Sequence, residues 1–362
     1  MYNDRFLDAK INERKVNNAF RALRLSTDKV DFHSNDYLGI AHHHLIKPNF
    51  NGLSHGSMGS RLLSGNYVLI EQAELEIAQF HQADAGLIFN SGYDANIGLL
   101  STVPQRGDTI LYDFLSHASI RDGIRLSNAQ SFSFEHNQLD DLEKKLRIAT
   151  GTIFIVTESV FSMDGDLADL FALVTIAEKY NAHLIIDEAH ATGIIGSRGE
   201  GLVQSAGLCD RIFARVHTFG KALGCHGAIV LGSSTLKNYL INFARSFIYS
   251  TALPPVAIDA VQQSYRLFPT MNKERDHILS LVDYFTKCSI RFRKLDSTTP
   301  IQIVIVPGNE AVKQLANQLQ NAGLDVRAIL YPTVPKNSER LRIILHAFNT
   351  IEQLNKLINI LQ

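Results

Sequence analysis

Short apolar runs alternate with amphipathic stretches along the chain from residue 85 to residue 233. AGLIF (85–89), DTILYD (108–113), AQSFSF (129–134), TIFIVTES (152–159), HLIIDEA (183–189), RIFARV (211–216) and GAIVLG (227–232) have the length and composition of strands. SGYDANIGLLSTV (91–103), HASIRDGIRLS (117–127), QLDDLEKKLRIA (138–149) and LADLFALVTIAEKYN (167–181) lie between the first five and read as helices. Repeated strand-then-helix units predict an α/β fold, a mostly parallel seven-stranded sheet with helices on both faces. In such sheets ligands collect beyond the carboxyl ends of the strands. Those ends carry SGYDAN, SHAS, TESVFSMDGD, DEAHATG and HTFGK.

The pattern differs on either side. Residues 3–25 read as one helix with Phe6, Ile11, Val16, Phe20 and Leu23 on one side; Arg21 on it reads as a solvated charge. DFHSNDYLGI (31–40) is a short strand entering a turn. The tract at 42–45, HHHL, is a polar loop or a metal site, although adjacent histidines cannot all face one ion. SHGSMGSRLLSGN (54–66) is a phosphate loop or a tight connection before the helix at 67–82. After 233 come a helix running into YSTALPP, helical stretches over 255–289, and a small α+β unit built from IQIVIV, a helix at 309–322, LDVRAIL, ERLRIILHA and a helix at 350–361. The divisions expected are 1–50 for an N-terminal helix and arm, 51–240 for the large α/β domain, and 241–362 for linking helices and the small domain.

Bulk properties narrow the class. The 362 residues carry a formal net charge of −1, so no global basic field points to nucleic acid. Cysteines 209, 225 and 288 lack metal or disulfide spacing. The N-terminus is too polar for a signal peptide and no apolar run approaches a membrane span, so a cytoplasmic protein without membrane association is expected.

The chemistry centres on VHTFGKALGCHG (216–227). Lys221 stands between two apolar strands among small residues, where an amine that loses its proton can form a Schiff base with an aldehyde. It also reads as a buried-stem lysine with a solvated head. Asp187 can keep a pyridine nitrogen protonated, as pyridoxal phosphate requires, or cap a turn. His190 can reach a phenolate oxygen. Ser91, Gly92 and Tyr93 open a helix suited to a phosphate, with Thr218 beside Lys221. His117 can stack on a ring or cap its helix. A nicotinamide enzyme is disfavoured, since no GxGxxG joins the first strand and helix.

SNDYLG (34–39), GSMGSRLLSG (56–65), NSGYDAN (90–96), LSHAS (115–119), TESVFSMDGD (157–166), DEAHATG (187–193), TFGKALG (218–224) and YSTALPP (249–255) resemble, in order, the α-oxoamine synthase family. The resemblance implies the PLP-dependent transferase fold of the aspartate aminotransferase type, pyridoxal 5'-phosphate as cofactor, and joining of an amino acid to an acyl thioester with loss of carbon dioxide. It implies Lys221 as the cofactor-bound lysine, Asp187 at the pyridine nitrogen, and cofactor contacts from His190, Ser162, Thr218, Gly92 and Tyr93. His117 would stack on the ring and border the substrate. Thr251 would reach the phosphate of the partner subunit in a homodimer, Arg342 would hold the amino acid carboxylate, and Thr333 and Arg21 would lie along the acyl channel. The segments 243–255 and 328–347 are similar to members using L-alanine and a pimeloyl thioester, either pimeloyl-CoA or a pimeloyl-carrier protein. Members using glycine and acetyl-CoA are the rival, and a non-catalytic partner subunit is the alternative of another class. The chain departs from its relatives in a shortened segment before Asp31 and in Cys225 and His226.

Overall fold

The computed structural model describes residues 3–23, 25, 28–47 and 52–362. The chain forms two compact units: a larger one from residues 36–162 and 167–275, and a smaller one from residues 1–35, 163–166 and 276–362.

The larger unit is built on seven strands: β1 (Ala85–Phe89), β2 (Thr109–Asp113), β3 (Gln130–Phe134), β4 (Ile153–Glu158), β5 (His183–Asp187), β6 (Ala214–Thr218) and β7 (Ala228–Gly232). Their order is β1-β7-β6-β5-β4-β2-β3. Strand β7 runs antiparallel to both β1 and β6, and the other pairs are parallel. The alternation of side chains explains why the central strands read as unbroken apolar runs. Ile110, Phe154, Val156 and Ile185 enter one buried cluster, while Leu111, Ile155, Leu184 and Ile186 enter another. Both faces of the sheet are therefore covered, as parallel sheets require.

Helices α1 (Val68–Phe80), α2 (Gly92–Leu100), α3 (Ala118–Leu126), α4 (Leu139–Leu146) and α5 (Leu170–Lys179) follow the loops and strands as expected. Ser91 caps α2 by accepting from the Asp94 N–H at 3.1 Å, and Asp169 caps α5 through the Ala172 N–H at 3.1 Å. The glycine- and serine-rich stretch before α1 is a tight connection. A Cβ on Gly65 would lie 2.1 Å from the Gly59 carbonyl oxygen. The histidine tract forms a turn in which Asp36 Oδ2 accepts the His42 N–H at 2.7 Å.

In the smaller unit Val30–Asp31 pairs in parallel with Leu324–Asp325. A four-stranded antiparallel sheet runs in the order 327–329, 340–344, 301–305, 293–294. Helix Asn309–Asn321 buries Val312, Leu315 and Leu319, and Ile351–Leu361 buries Leu354, Leu357 and Leu361 behind a Thr350–Gln353 capping box.

Three expectations need correction. The N-terminal helix covers Asp8–Val16, after a short 3-10 turn, and not residues 3–25. Asn18 adopts a left-handed φ of 51°, which ends the helix, and Phe6, Val16 and Leu23 are exposed rather than on a buried face. The helix after 233 breaks at Ala244 (ψ 104°) into Ser234–Phe243 and Arg245–Ile248. The divisions between units fall at 35/36 and 275/276, not at 50 and 240. Strand Val30–Asp31 joins the tail in one sheet, while helix Pro255–Leu267 packs on α1 and helix Ser234–Phe243 on β1.

Candidate active site

The carboxyl ends of the parallel strands in the larger unit gather the chemistry. Lys221 follows β6 in the turn to β7. Its Nζ lies 2.8 Å from His190 Nε2, and His190 Nδ1 lies 2.6 Å from the hydroxyl of the fully buried Tyr37. The turn needs Gly224: its N–H donates to the Lys221 carbonyl at 2.9 Å, its φ is +62°, and a Cβ there would lie 3.0 Å from the Ala41 backbone nitrogen.

Asp187 ends β5. Its Oδ2 accepts from Asn96 Nδ2 at 2.8 Å and its Oδ1 from the Ala189 N–H at 2.9 Å. The same Asn96 amide donates to Ser119 Oγ at 2.9 Å, and Ser119 Oγ lies 2.7 Å from His117 Nδ1. A buried relay of Asn96 and Ser119 thus joins Asp187 to His117. The backbone N–H of His117 donates to Glu158 Oε1 at 2.6 Å. Loss of hydration lowers the His117 pKa, opposed by the charge of Asp187 and reinforced by that of Lys221. Both groups are therefore within electrostatic reach of the imidazole.

Thr218, at the end of β6, donates to the Gly227 carbonyl at 3.3 Å and accepts the Gly220 N–H at 3.3 Å. A Cβ built on Gly92 would stand 3.6 Å from Thr218 Oγ1. The first turn of α2, whose leading N–H groups have no intrahelical partner, therefore faces the Thr218 hydroxyl. Tyr93 is partly exposed, and its hydroxyl donates to Asp122 Oδ2 at 2.5 Å. Ser162 is buried in the loop after β4. Thr251 is exposed, and its carbonyl accepts from Asn90 Nδ2 at 2.8 Å, which ties the YSTALPP segment to the end of β1.

An amine, an imidazole at hydrogen-bond distance from it, a carboxylate held by two N–H donors and a helix start beside a hydroxyl fit the aldehyde, ring and phosphate of pyridoxal phosphate.

In the smaller unit, Arg342 on strand 340–344 donates from Nη2 to Asn35 Oδ1 at 3.0 Å. Arg21 Nη2 donates to Thr333 Oγ1 at 2.9 Å. A cleft of about 620 Å³ there is lined by residues that include Arg14, Phe20, Arg21 and Tyr331.

Tyr37, Asn96, Ser119 and Glu158 carry no role in the reading from sequence. They sit inside SNDYLG, NSGYDAN, LSHAS and TESV, and only that adjacency signals them. Cys225 gains a structural account: its Sγ donates to the Ala260 carbonyl at 3.3 Å, and burial pushes the thiol up to about 12.

A seven-stranded, mostly parallel sheet carrying this lysine, carboxylate and imidazole at its strand ends has the architecture of the aminotransferase-like enzymes. The chain belongs to the family "Aminotransferase class I and II", whose profile matches residues 27–361, and within it to the 8-amino-7-oxononanoate synthases. It is 44% identical over 337 residues to the 8-amino-7-oxononanoate synthase of Lysinibacillus sphaericus, covering 91% of this chain and 86% of that one. The crystal structure of 8-amino-7-oxononanoate synthase from Francisella tularensis superposes with a TM-score of 0.80 at 31% identity, covering 92% and 96% of the two chains. A serine palmitoyltransferase from S. paucimobilis with bound PLP–myriocin superposes with a TM-score of 0.88 at 25% identity, covering 99% and 98%.

Proposed function

We propose that the protein condenses L-alanine with a pimeloyl thioester, releasing carbon dioxide and the thiol, to give 8-amino-7-oxononanoate for biotin synthesis. The observation that carries this reading is the placement of the Lys221 amine 2.8 Å from His190 Nε2 in a site that Asp187 shares. The relatives' names supply the substrates.

Pyridoxal 5'-phosphate, when bound, supplies an electron sink for a carbanion at the alanine Cα. Lys221 would anchor it covalently, Asp187 would meet the pyridine nitrogen, and His190 would meet the phenolic oxygen. Thr218, Ser162 and the N-terminal turn of α2 at Gly92 and Tyr93 would hold the remaining polar groups. His117 would lie against the ring.

Once the amino group of alanine has displaced it from the anchoring bond, the Lys221 amine removes the proton from the alanine Cα and later returns one to the product. Between those transfers the Cα–carbonyl bond forms, the carbon–sulfur bond to the thiol breaks, and the alanine carboxyl leaves as carbon dioxide. Positioned proton transfer contributes about 10²–10⁴-fold. His190, held by Tyr37, fixes the hydrogen-bonding partner of the amine. Arg342, oriented by Asn35, offers a guanidinium to the amino acid carboxylate. Arg21 and Thr333 line the acyl channel.

The protein acts as a cytoplasmic homodimer, with Thr251 reaching the partner's phosphate site. Met58 and Leu63, which are 80% and 82% exposed, lie in the loop whose Gly59 carbonyl accepts the Ala252 N–H, and Tyr249 is 72% exposed. Such an apolar surface suits a second copy. Among the described residues no helix is long and apolar enough to cross a membrane.

A panel of amino acids and acyl thioesters, followed by thiol release, tests the substrate assignment. Turnover with alanine and pimeloyl-CoA or pimeloyl-carrier protein is expected. Turnover with glycine and acetyl-CoA but none with alanine and a pimeloyl thioester contradicts it.

A further inference from the structure

Glu158 has no part in the chemistry above, yet it is buried to 3% exposure at the end of β4. It is the register partner of Asp187 across the parallel β4–β5 pair. Paired residues project to the same face of a sheet, so two carboxyls stand side by side there. Their surroundings differ. Asp187 is engaged by Asn96 and Ala189, and its neighbourhood includes Lys221 and His117. Glu158 instead accepts the backbone N–H of His117 at 2.6 Å, and the backbone N–H of Ser162 lies near enough to favour its charged form.

These two N–H groups come from different loops. His117 follows β2 and is the N-cap of α3; Ser162 follows β4. His117 turns its own Nδ1 back onto the Ser119 N–H at 3.2 Å, so its side chain is committed to the helix start. Its backbone N–H then needs an acceptor from elsewhere, and a buried N–H without one is costly.

We infer that Glu158 is a positioning residue: its one carboxyl ties the His117 loop to the Ser162 loop through their backbone N–H groups, and so sets both residues for the cofactor. This rests on the proposed reading that pyridoxal phosphate occupies the site. Burial, with the Asp187 charge adding to it, raises Glu158 to about 8, against the pull of Lys221 and the two N–H groups. The group at neutral pH is thus close to a neutral acid, for which a glutamine is a near match in shape and acceptor.

The test combines amide hydrogen exchange on the cofactor-free wild-type protein with variants E158Q, E158A, H117A and E158A/H117A. The amides of His117 and Ser162 are expected to be protected together in the wild type. E158A is expected to weaken pyridoxal phosphate binding about tenfold or more and to shift the His117 imidazole resonance of the cofactor-free protein. E158Q stays within about threefold of wild type. The double variant loses less than the sum of the two singles, since part of the E158A loss acts through His117. Additive losses, an unmoved His117 resonance in E158A, or E158Q as damaging as E158A would overturn the inference. Should E158A not fold, the wild-type exchange decides: either amide exchanging as an open loop sinks it. Loss of visible cofactor absorbance in K221A tests the underlying reading separately. A protein that binds no cofactor but protects both amides would remove the proposed function and leave the Glu158 bridge standing.

Discussion

Tyr37 and His190, 153 residues apart in sequence, share a hydrogen bond of 2.6 Å, and the opposite nitrogen of the same imidazole lies 2.8 Å from the Lys221 amine. The tyrosine has no other exposure to speak of: it is wholly buried. Its hydroxyl therefore fixes which way the His190 ring faces. Tyr37→Phe removes that hold while keeping the packing. Loss of about 0.5–1.5 kcal/mol is expected, a drop of roughly two- to twelvefold in kcat with a smaller change in KM. Steady-state kinetics checks it; an unchanged kcat contradicts it.

In the proposed roles, Lys221→Ala removes both the anchor and the proton carrier. Activity should fall by at least the roughly 10²–10⁴-fold that a positioned base contributes. The visible absorbance of the purified protein should vanish with it. A variant that keeps the band, or more than about a tenth of the activity, conflicts with the assigned roles.

The turn after the lysine offers a stability test. In Gly224→Ala the new Cβ meets Ile40 at 2.9 Å and the Ala41 nitrogen at 3.0 Å, at a φ of +62°. A cost of about 1–3 kcal/mol is expected, together with weaker cofactor retention because Lys221 moves. Denaturant unfolding of the two proteins side by side decides the first part, and dialysis followed by absorbance the second.

Stability should depend on pH in two opposite senses. Burial, with Arg215 beside it, lowers His81 to about 3, and burial lowers His217 as well. The unfolded chain binds protons at these histidines below about 6.5 while the folded chain does not, so their contribution is present above that pH and lost toward 3. Burial raises Glu188 to about 7, against the Val203 N–H and the Arg215 charge, and burial with the Asp187 charge raises Glu158 to about 8, against the Lys221 charge. Here the folded chain holds protons that the unfolded chain has released above about 4.3, so stability falls as pH rises through those values. Thermal melts should therefore peak between these arms, and Glu188→Gln should flatten the fall near pH 7. A melting temperature that climbs from pH 7 to 8 in the wild type runs against this.

The sheet was readable because β2, β4 and β5 are buried on both faces, which leaves runs such as TILYD and HLIID without polar interruption. The amine, carboxylate and imidazole were readable because each sits at the end of such a run. Their hydrogen-bond partners were not. Asn96 reaches Asp187 across 91 residues and Tyr37 reaches His190 across 153, and neither distance leaves a local pattern. Glu158 looked like one more strand residue, since its partners are backbone N–H groups that any sequence supplies. The N-terminal helix was overextended because Phe20 and Leu23 continue an apolar stripe past Asn17 and Asn18. The turn at Asn18 takes precedence, and Phe20 and Leu23 beyond it are exposed.

The fate of the alanine carboxyl tests the proposed condensation most directly. Alanine labelled with ¹³C in its carboxyl group, given with pyridoxal phosphate and a pimeloyl thioester, should yield labelled carbon dioxide, free thiol and unlabelled 8-amino-7-oxononanoate in equal amounts. A product that keeps the label, or thiol release without labelled carbon dioxide, contradicts a decarboxylative condensation at Lys221.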